Sequence, residues 1–167
     1  MTTTSTLTTT MPLETSIGTL VLECDGDVLV GLWLPNETRH GRHDVHDVAP
    51  VLKETATQLE EYFAGDRKEF TVPLAPAGTP FRLAVWTQLT MIPYGSTVSY
   101  GDIARALGKR LVASRAVGLA NGANPISIIV PCHRVIGSDG SLTGYGGGLE
   151  RKELLLRLEG AGPVTLW

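Results

Sequence analysis

The sequence lacks a long hydrophobic run and contains only two cysteines among its 167 residues. No apolar stretch reaches the roughly 18 residues of a transmembrane helix, so we expect no membrane-spanning segment and no membrane partner. The start of the chain, Met1 to Met11, is rich in threonine and has neither the basic nor the apolar segment of a signal peptide. Cys24 and Cys132 lie far apart in sequence, which favours a reduced cytoplasmic protein over a disulfide framework.

Metal and nucleotide signatures are also missing or incomplete. His40, His43 and His46 recur with a regular spacing, but no cysteine or carboxylate is fixed nearby as a further ligand, so we expect a solvated loop. The glycines of Gly144–Gly148 are not followed by the Lys-Ser/Thr of a phosphate-binding loop. Cys132 has no second cysteine at the spacing that a zinc deaminase needs. The sequence therefore predicts no metal and no cofactor.

The charged residues are divided unequally between the two halves of the chain. Residues 1–80 contain 5 Lys/Arg and 12 Asp/Glu, whereas residues 81–167 contain 9 and 5, within a total charge of −3. A basic half joined to an acidic half suggests one face for a polyanion, for which nucleic acid is the natural candidate. Taken alone this signal is weak, because many domains carry a similar charge without binding DNA.

The first half of the chain has the pattern of a small α/β domain. Thr19–Cys24 and Val28–Leu34 have the composition of two strands of a hairpin. Ala49–Phe63 places hydrophobic residues at helical spacing, and Phe70–Leu74 is a further candidate strand. We divide the chain into a disordered tail (1–12), an N-terminal α/β domain with a small antiparallel sheet and a helix (13–72), a proline-rich linker (73–78) and a C-terminal domain (79–167).

The second half is predicted to be mostly helical. Thr79-Pro80 has the chemistry of a helix start, with a capping side chain followed by proline at the first helical position. Ser99 and Asp102 have the spacing of a capping box for a second helix. A third helix, from about Val112 to Asn121, completes a helix-turn-helix candidate. Periodicity alone does not distinguish this motif from any other helical hairpin.

A short apolar run leads to the residues with the most reactive chemistry. Ile126–Val130 has the composition of a buried strand, which ends at Pro131 because proline cannot donate to a ladder. The next two residues are Cys132 and His133. A thiol beside an imidazole can be an activated nucleophile, although a lone buried cysteine more often only packs.

The motifs around this cysteine decide between the two interpretations. They are Ile92-Pro93-Tyr94-Gly95, Ser99-Tyr100, Arg115-Ala116-Val117-Gly118, Asn124-Pro125, Pro131-Cys132-His133-Arg134-Val135 and Gly144-Tyr145-Gly146-Gly147-Gly148. Between about Thr79 and Gly160 the chain thus resembles the O6-alkylguanine-DNA alkyltransferases. The resemblance implies a monomer that repairs O6-alkylguanine in double-stranded DNA, once per molecule, by transfer of the alkyl group to its own cysteine. It leaves open the size of the alkyl group and the acceptance of O4-alkylthymine.

The resemblance also implies roles for the catalytic residues. Cys132 is the nucleophile, and His133 removes its proton through an intervening water. Glu159, at the end of a predicted helix over Glu150–Leu158, holds the other nitrogen of His133. Tyr100 rotates the 3′ phosphate and donates a proton to the leaving base.

DNA contacts and a base pocket follow from the same resemblance. The third helix enters the minor groove, Arg115 fills the space of the displaced base, and small neighbours let the backbone approach closely. Leu119 stands where some relatives have a smaller residue. The expected DNA contacts are Tyr100, Ala113, Arg115, Ala116, Gly118 and Arg134. The expected pocket residues are Asn124, Val130, Pro131, Tyr145 and Gly146, with Asn124 bracing the turn.

Other functions remain open at this level. A non-catalytic lesion binder would keep the pocket and lack the nucleophile, whereas Cys132 is present. A transcription factor would need a dimerisation segment, and none is obvious. A Cys-His hydrolase would need a histidine remote from Cys132, and the remaining histidines all lie in the polar stretch that begins at His40. The glycines of 144–148 could be a flexible connector, but a pocket loop with close backbone approach is preferred.

Overall fold

The computed structural model describes residues 8–37 and 48–161, which divide into two compact units after Pro76. Within these described ranges, no helix is long and apolar enough to cross a membrane. His40, His43 and His46 lie outside the described residues, so the prediction of a solvated loop without metal is not tested. The two ranges contain no cluster of His, Cys, Asp or Glu that could hold a metal ion.

The first unit is a three-stranded antiparallel sheet with one helix against it. The strands lie in the order β1 (Thr9–Thr15), β2 (Gly18–Asp25) and β3 (Val28–Trp33), and α1 (Pro50–Phe63) contacts all three. Leu20 and Leu22 are buried two residues apart on β2, as the period of a half-buried strand requires, whereas Leu29 and Leu32 are buried three residues apart on β3, across a shift in the β2–β3 register. The core comprises Leu20, Leu22, Leu29, Leu32, Leu52, Leu59 and Tyr62. The predicted N-terminal α/β fold is confirmed.

The tail expected over residues 1–12 was placed too far along the chain. Strand β1 begins at Thr9 and pairs with β2 over its whole length, with Leu13 opposite Leu20. The threonines suggested a polar tail, but threonine is β-branched and fits a strand well. Thr10 and Leu13 are buried, so this strand completes the sheet.

The strand predicted over Phe70–Leu74 is reduced to a single bridge. The amide of Leu29 donates to the Pro73 carbonyl, and the amide of Ala75 donates to the Leu29 carbonyl, each at 2.9 Å. Pro73 and Pro76 have no amide hydrogen, so they cannot extend this pairing into a ladder. The first residues of the predicted linker therefore pack at the edge of the N-terminal sheet.

The second unit is mostly helical. Its helices are α2 (Pro80–Thr90), α3 (Tyr100–Ala106), α4 (Ser114–Gly122) and α5 (Leu149–Leu158), and its two short strands are β4 (Val98–Ser99) and β5 (Val135–Ile136). Helix α4 packs against both α2 and α3. Trp86 on α2 is buried and its indole nitrogen donates to the Ala120 carbonyl at 2.8 Å, so it is a core residue as predicted.

The predicted helix starts and the helix-turn-helix are present. Thr79 accepts a hydrogen bond from the amide of Arg82 at 3.3 Å. The Ser99 hydroxyl accepts from the Asp102 amide at 3.1 Å, and the Asp102 carboxylate accepts from the Ser99 amide at 2.8 Å. This capping box fixes the start of α3, and Gly108 with its φ of 68° ends the turn after it.

Candidate active site and DNA-binding surface

Cys132 follows a compact turn, where the sequence predicted a strand. Residues Ile126 to Val130 form no ladder, the Val130 amide bonds back to the Ile126 carbonyl at 3.0 Å, and Ile128 has a φ of 73°. An apolar run of this length is compatible with either structure, and buried side chains alone do not decide between them. The prediction of a strand at this position was wrong, although the fold class as a whole is confirmed.

Asn124 holds this turn closed from inside. Its amide nitrogen donates to the Val130 carbonyl at 2.8 Å, and its amide oxygen accepts from the Ile126 amide at 3.0 Å. A second buried amide, that of Asn121, donates to the Cys132 carbonyl at 3.3 Å. The expected bracing contacts of Asn124 are therefore present, and its side chain is occupied by the backbone. Asn121 was not predicted.

The pairing of β4 with β5 brings Tyr100 towards the Cys132 turn. The two strands are parallel, with Val98 opposite Val135 and Ser99 opposite Ile136. Tyr100 follows β4 directly, and the cysteine precedes β5 by three residues. The Thr143 hydroxyl donates to the Tyr100 hydroxyl at 3.1 Å, which links Tyr100 to the glycine-containing loop.

His133 and Glu159 form a buried pair. The Nε2 atom of His133 lies 2.8 Å from Oε1 of Glu159, and neither side chain is exposed to solvent. Burial by itself raises the pKa of Glu159, but hydrogen bonds and charges from His133 and Arg134 outweigh it and lower the pKa to about 2. Glu159 is therefore a carboxylate at neutral pH, and its pairing with His133 agrees with the sequence-based expectation.

The protonation of His133 follows from that pairing. Burial lowers the pKa of His133, and the interactions with Glu159 oppose this effect. A carboxylate only accepts hydrogen bonds, so Nε2 of a neutral His133 carries the hydrogen and Nδ1 carries the lone pair. Nδ1 is buried and forms no hydrogen bond with the described residues. This nitrogen is the free base of the site.

Arg134 occupies a different place from the one predicted. It was expected to contact DNA, but it is buried. Its guanidinium donates two hydrogen bonds of 2.9 Å to Glu159, from Nε to Oε2 and from Nη2 to Oε1. Its Nη1 atom donates to the Ile92 carbonyl at 2.7 Å, and its guanidinium lies over the Tyr94 ring. Arg134 thus fixes the carboxylate that holds His133.

Lys152 is a functional candidate that sequence reasoning missed. Its ammonium group is buried and donates to the carbonyls of Val135 at 2.6 Å and Thr143 at 2.7 Å. Burial lowers its pKa to about 8, and attraction to a thiolate at Cys132 acts in the opposite direction. The only signal in the sequence is its spacing along α5, where it shares the buried side with Leu155, Leu156 and Glu159.

Among the described residues, the buried ammonium group of Lys152 has carbonyl partners and no carboxylate partner. Arg134 and Glu159 form an ion pair, and His133 is neutral, so the charge of Lys152 remains. Cys132 is 4% exposed, and its sulfur is the acidic group whose charge acts on the pKa of Lys152. A positive charge on Lys152 and a negative charge on Cys132 attract each other, which reduces the cost of burying the ammonium group.

The predicted DNA contacts other than Arg134 lie on or beside the helix-turn-helix. Arg115 and Ala116 are exposed, and Ala113 and Gly118 are half-buried. A Cβ atom added to Gly118 would lie 3.7 Å from the Tyr100 ring, so α4 approaches this tyrosine closely. The guanidinium of Arg115 forms no hydrogen bond or ion pair with other residues of the described part of the chain.

The expected base pocket is only partly outlined. Val130 and Pro131 are buried, Tyr145 is half-buried, and Gly146 is exposed. A cavity of about 480 Å³ lies beside Tyr100, and its walls include Leu111, Ser114, Ser138 and Thr143. Neither Cys132 nor Tyr145 lines this cavity, so it is distinct from the base pocket expected between the cysteine turn and the loop 144–148. That pocket remains a prediction.

A helix-turn-helix that carries an exposed arginine, joined to a buried thiol with its own base, defines a class of DNA-directed proteins whose reactive group is a cysteine. Comparison with known proteins makes the class specific. The family model described as 6-O-methylguanine DNA methyltransferase, DNA binding domain, matches residues 80–161. The model described as 6-O-methylguanine DNA methyltransferase, ribonuclease-like domain, matches residues 8–76.

Individual relatives agree with these matches. A methylated-DNA–protein-cysteine methyltransferase of Mycobacterium leprae is 49% identical over 148 residues, which are 88% of this chain and 89% of the relative. That of Methanosarcina acetivorans is 61% identical over 110 residues, which are 66% of this chain and 70% of the relative. The crystal structure of Mycobacterium tuberculosis O6-methylguanine methyltransferase has a TM-score of 0.83 at 45% identity, covering 95% of this chain and 96% of that one. The crystal structure of Mycobacterium tuberculosis OGT in complex with DNA has a TM-score of 0.82 at 48% identity and covers 92% of each chain. This chain belongs to the 6-O-methylguanine DNA methyltransferase family.

Proposed function

We propose that this protein repairs O6-alkylguanine in double-stranded DNA by moving the alkyl group onto Cys132, once per molecule. The observation that carries the proposal is the buried thiol beside a neutral imidazole and an ammonium group, next to the helix-turn-helix. Membership of the family supports alkyl transfer to a cysteine. Cys24, the other thiol, has no such surroundings, because burial raises its pKa and nearby carboxylates raise it further.

Transfer is a displacement at the alkyl carbon. The Sγ atom of Cys132 forms a bond to this carbon as the bond from the carbon to guanine O6 breaks, and the electron pair of that bond remains on the base. The thiol proton passes through one water to Nδ1 of His133, the nitrogen whose lone pair is free. Glu159 and Arg134 hold the imidazole so that this nitrogen faces away from the ion pair.

The leaving guanine takes up one proton. Tyr100 is suited to donate it because a phenol is a weak acid that can supply a proton to an anionic base. Its hydroxyl is held by Thr143, whose carbonyl also accepts from Lys152.

Guanine O6 lies within the stacked duplex, so the thiol reaches the alkyl group only after the nucleotide is extruded. We assign the displacement of the backbone to Tyr100 and the filling of the vacancy to Arg115, which is exposed and pairs with no other described residue. The half-buried Ala113 and Gly118 let α4 approach the minor groove, while Ala116 is exposed beside Arg115. Tyr145 and Gly146 would face the extruded base.

The reaction consumes the protein. A thioether is not hydrolysed by a histidine–carboxylate pair, so the alkylated cysteine is the final state. A free thiol is required at the start, which fits a reducing cytoplasmic environment. Neither cysteine forms a disulfide with another of the described residues. The rival function, a lesion sensor without chemistry, is disfavoured because the nucleophile and its base are both present.

The test is intact-protein mass spectrometry after mixing the protein with duplex DNA containing O6-methylguanine. We expect a gain of one methyl group per molecule, mapped to Cys132 after digestion. The Cys24→Ser variant should gain the same methyl group, and the Cys132→Ser variant should gain none while still binding the duplex. Repeated turnover, or a methyl group mapped to Cys24, would refute the proposal.

A further inference from the structure

One side of the DNA-directed helix exposes large apolar side chains that the proposed function has not used. Val112, in the 3₁₀ turn before α4, is 84% exposed, and Leu119 on α4 is 70% exposed. Leu119 lies four residues after Arg115, on the same face of α4, and Val112 lies three residues before Arg115, in the 3₁₀ turn that leads into this helix. The opposite face, with Val117 and Ala120, is buried against the rest of the unit.

The charges around this face indicate what covers it. Between Asp102 and Asp139 the sequence contains no acidic residue, and Lys109, Arg110 and Arg115 are all exposed. An apolar surface beside these exposed cations is complementary to a polyanion whose surface also offers apolar groups. The DNA minor groove is such a surface, because phosphates border it and deoxyribose rings form its walls.

We propose that Val112 and Leu119 form an apolar bracket around Arg115 that contacts deoxyribose in the minor groove on both sides of the displaced base. The inference rests on the proposed function, since it places this face in the groove. Seven residues of helix span about 10 Å. That length corresponds to about three base-pair steps of 3.4 Å each. Each bracket residue would therefore lie near a neighbour of the extruded nucleotide, with the arginine between them.

Contacts made by the bracket would contribute to DNA affinity differently from phosphate contacts. Contacts to sugar release no counterions, so they strengthen binding without adding to its salt dependence, whereas each phosphate contact steepens the dependence. The small residues Ala113, Ala116 and Gly118 allow the helix to approach, and the two large side chains fill the space that this approach leaves at each end. The side chain of Leu119 would thus fill space in the groove that the small residues beside it leave empty.

The experiment measures the affinity of full-length protein, carrying Cys132→Ala to prevent transfer, for a duplex with one O6-methylguanine over a series of salt concentrations. We expect Leu119→Ala to weaken binding about tenfold, from partial loss of the burial of three carbon atoms. The slope of log affinity against log salt should not change. Leu119→Met should bind like the parent, because it retains the apolar volume.

Two control variants calibrate the readout. Met91, just after α2, is 67% exposed and equally apolar, and Met91→Ala should leave both affinity and slope unchanged. Arg110→Ala removes an exposed cation from the turn before α4 and should reduce the slope by about 0.9 if it contacts phosphate. Thermal unfolding of Leu119→Ala should match the parent, since the side chain is exposed. If Leu119→Ala unfolds early, Val112→Ala is measured in its place.

The inference is overturned if Leu119→Ala binds as tightly as Met91→Ala, or if its loss of affinity comes with a changed salt slope. Failure of the proposed function would look different. In that case the protein with Cys132 intact would gain no methyl group from the same duplex, whatever residue occupies position 119. A protein that accepts the methyl group while Leu119→Ala binds normally refutes only the bracket.

Discussion

The two units of the protein each bury one cysteine, but they surround it with charges of opposite sign. Around Cys24, on β2 of the first unit, the nearby charges are Asp25, Glu23 and Asp27, and together with burial they raise the pKa of the thiol. For Cys132 the charge that interacts with the sulfur is the positive one on the ammonium group of Lys152. Burial is thus common to both thiols, and the charges that interact with them differ in sign.

The units also differ in what fills their cores. The sheet and α1 bury mostly leucine, and their buried polar side chains include Thr55 and Gln58. The second unit buries an arginine, a lysine, a glutamate and a histidine around one turn. Buried ion pairs seldom add stability over apolar packing, so this cluster is better explained by chemistry than by folding.

Removing the carboxylate should have the largest effect on the second unit. Glu159→Gln leaves Arg134 buried without a counter-charge, which we expect to lower the free energy of unfolding by about 3–5 kcal/mol. It also frees His133 from its acceptor, so single-turnover transfer should slow by about a hundredfold. Adding His133→Ala to Glu159→Gln should cost much less than the product of the two single losses, because the residues act as one unit. If the two losses in transfer rate simply multiply, Glu159 and His133 act independently, and the pairing does not explain their effect.

The same variant has a pH signature in denaturant unfolding. The pKa of Glu159 is about 2 in the folded protein against a usual value of 4.5, so the carboxylate stabilises the fold above pH 4.5. This contribution should be lost as the pH falls from 4.5 towards 2. The stability difference between the parent and Glu159→Gln should therefore narrow over that range, and a constant difference would contradict the low pKa.

Arg115→Ala tests whether the exposed cation of the second unit acts on DNA structure. We expect repair of duplex DNA to slow by about thirtyfold, corresponding to roughly 2 kcal/mol of the cost of unstacking a base. Transfer from the free modified base should change little, because a free base needs no extrusion. Single-turnover rates on both substrates give the comparison, and equal losses would show that Arg115 has a general structural or electrostatic role.

Lys152→Met tests the contrast between the two thiols directly. Methionine keeps the apolar stem of lysine and removes the charge, so the thiolate fraction of Cys132 should fall and transfer at neutral pH should slow about tenfold. The deficit should shrink as the pH rises, because hydroxide then supplies the thiolate. Arg157→Met, whose side chain is 69% exposed on the same helix, is the matched control and should transfer normally.

Chelation should have the smallest effect of all. His40, His43 and His46 belong to the first half of the chain, whereas the proposed chemistry lies entirely in the second unit. We expect repair by protein treated with EDTA to proceed at the parent rate. A loss that zinc restores would show that the histidine segment holds a metal on which activity depends.

The features that sequence predicted well are those with a local cause. The capping box at Ser99 and Asp102, the helix start at Thr79 and the bracing by Asn124 each depend on residues close together in the chain. The pairing of His133 with Glu159 was predicted only through the family resemblance. By position alone, a carboxylate at the end of a helix would be expected in solvent.

The errors have physical causes as well. Charged residues are almost never fully buried unless paired, so Arg134 was assigned to DNA and Lys152 was overlooked. Their burial depends on carbonyls and a carboxylate that come from distant parts of the chain. The turn at Ile128 and the threonine-rich strand β1 were missed for another reason. At both places the amino-acid composition suggested a backbone conformation that differs from the observed one.

The isolated ammonium of Lys152 makes the repaired state different from the starting state. Before reaction its charge can be balanced by a thiolate, whereas the alkylated sulfur is neutral and leaves a solitary cation inside the protein. The product should thus carry an electrostatic penalty in addition to the volume of the new alkyl group. The pKa of Lys152 is about 8 in the folded protein against a usual value of 10.5, so this penalty should grow as the pH falls from 10.5 to about 8 and stay constant below that. A spent molecule would then be recognisable by its own instability.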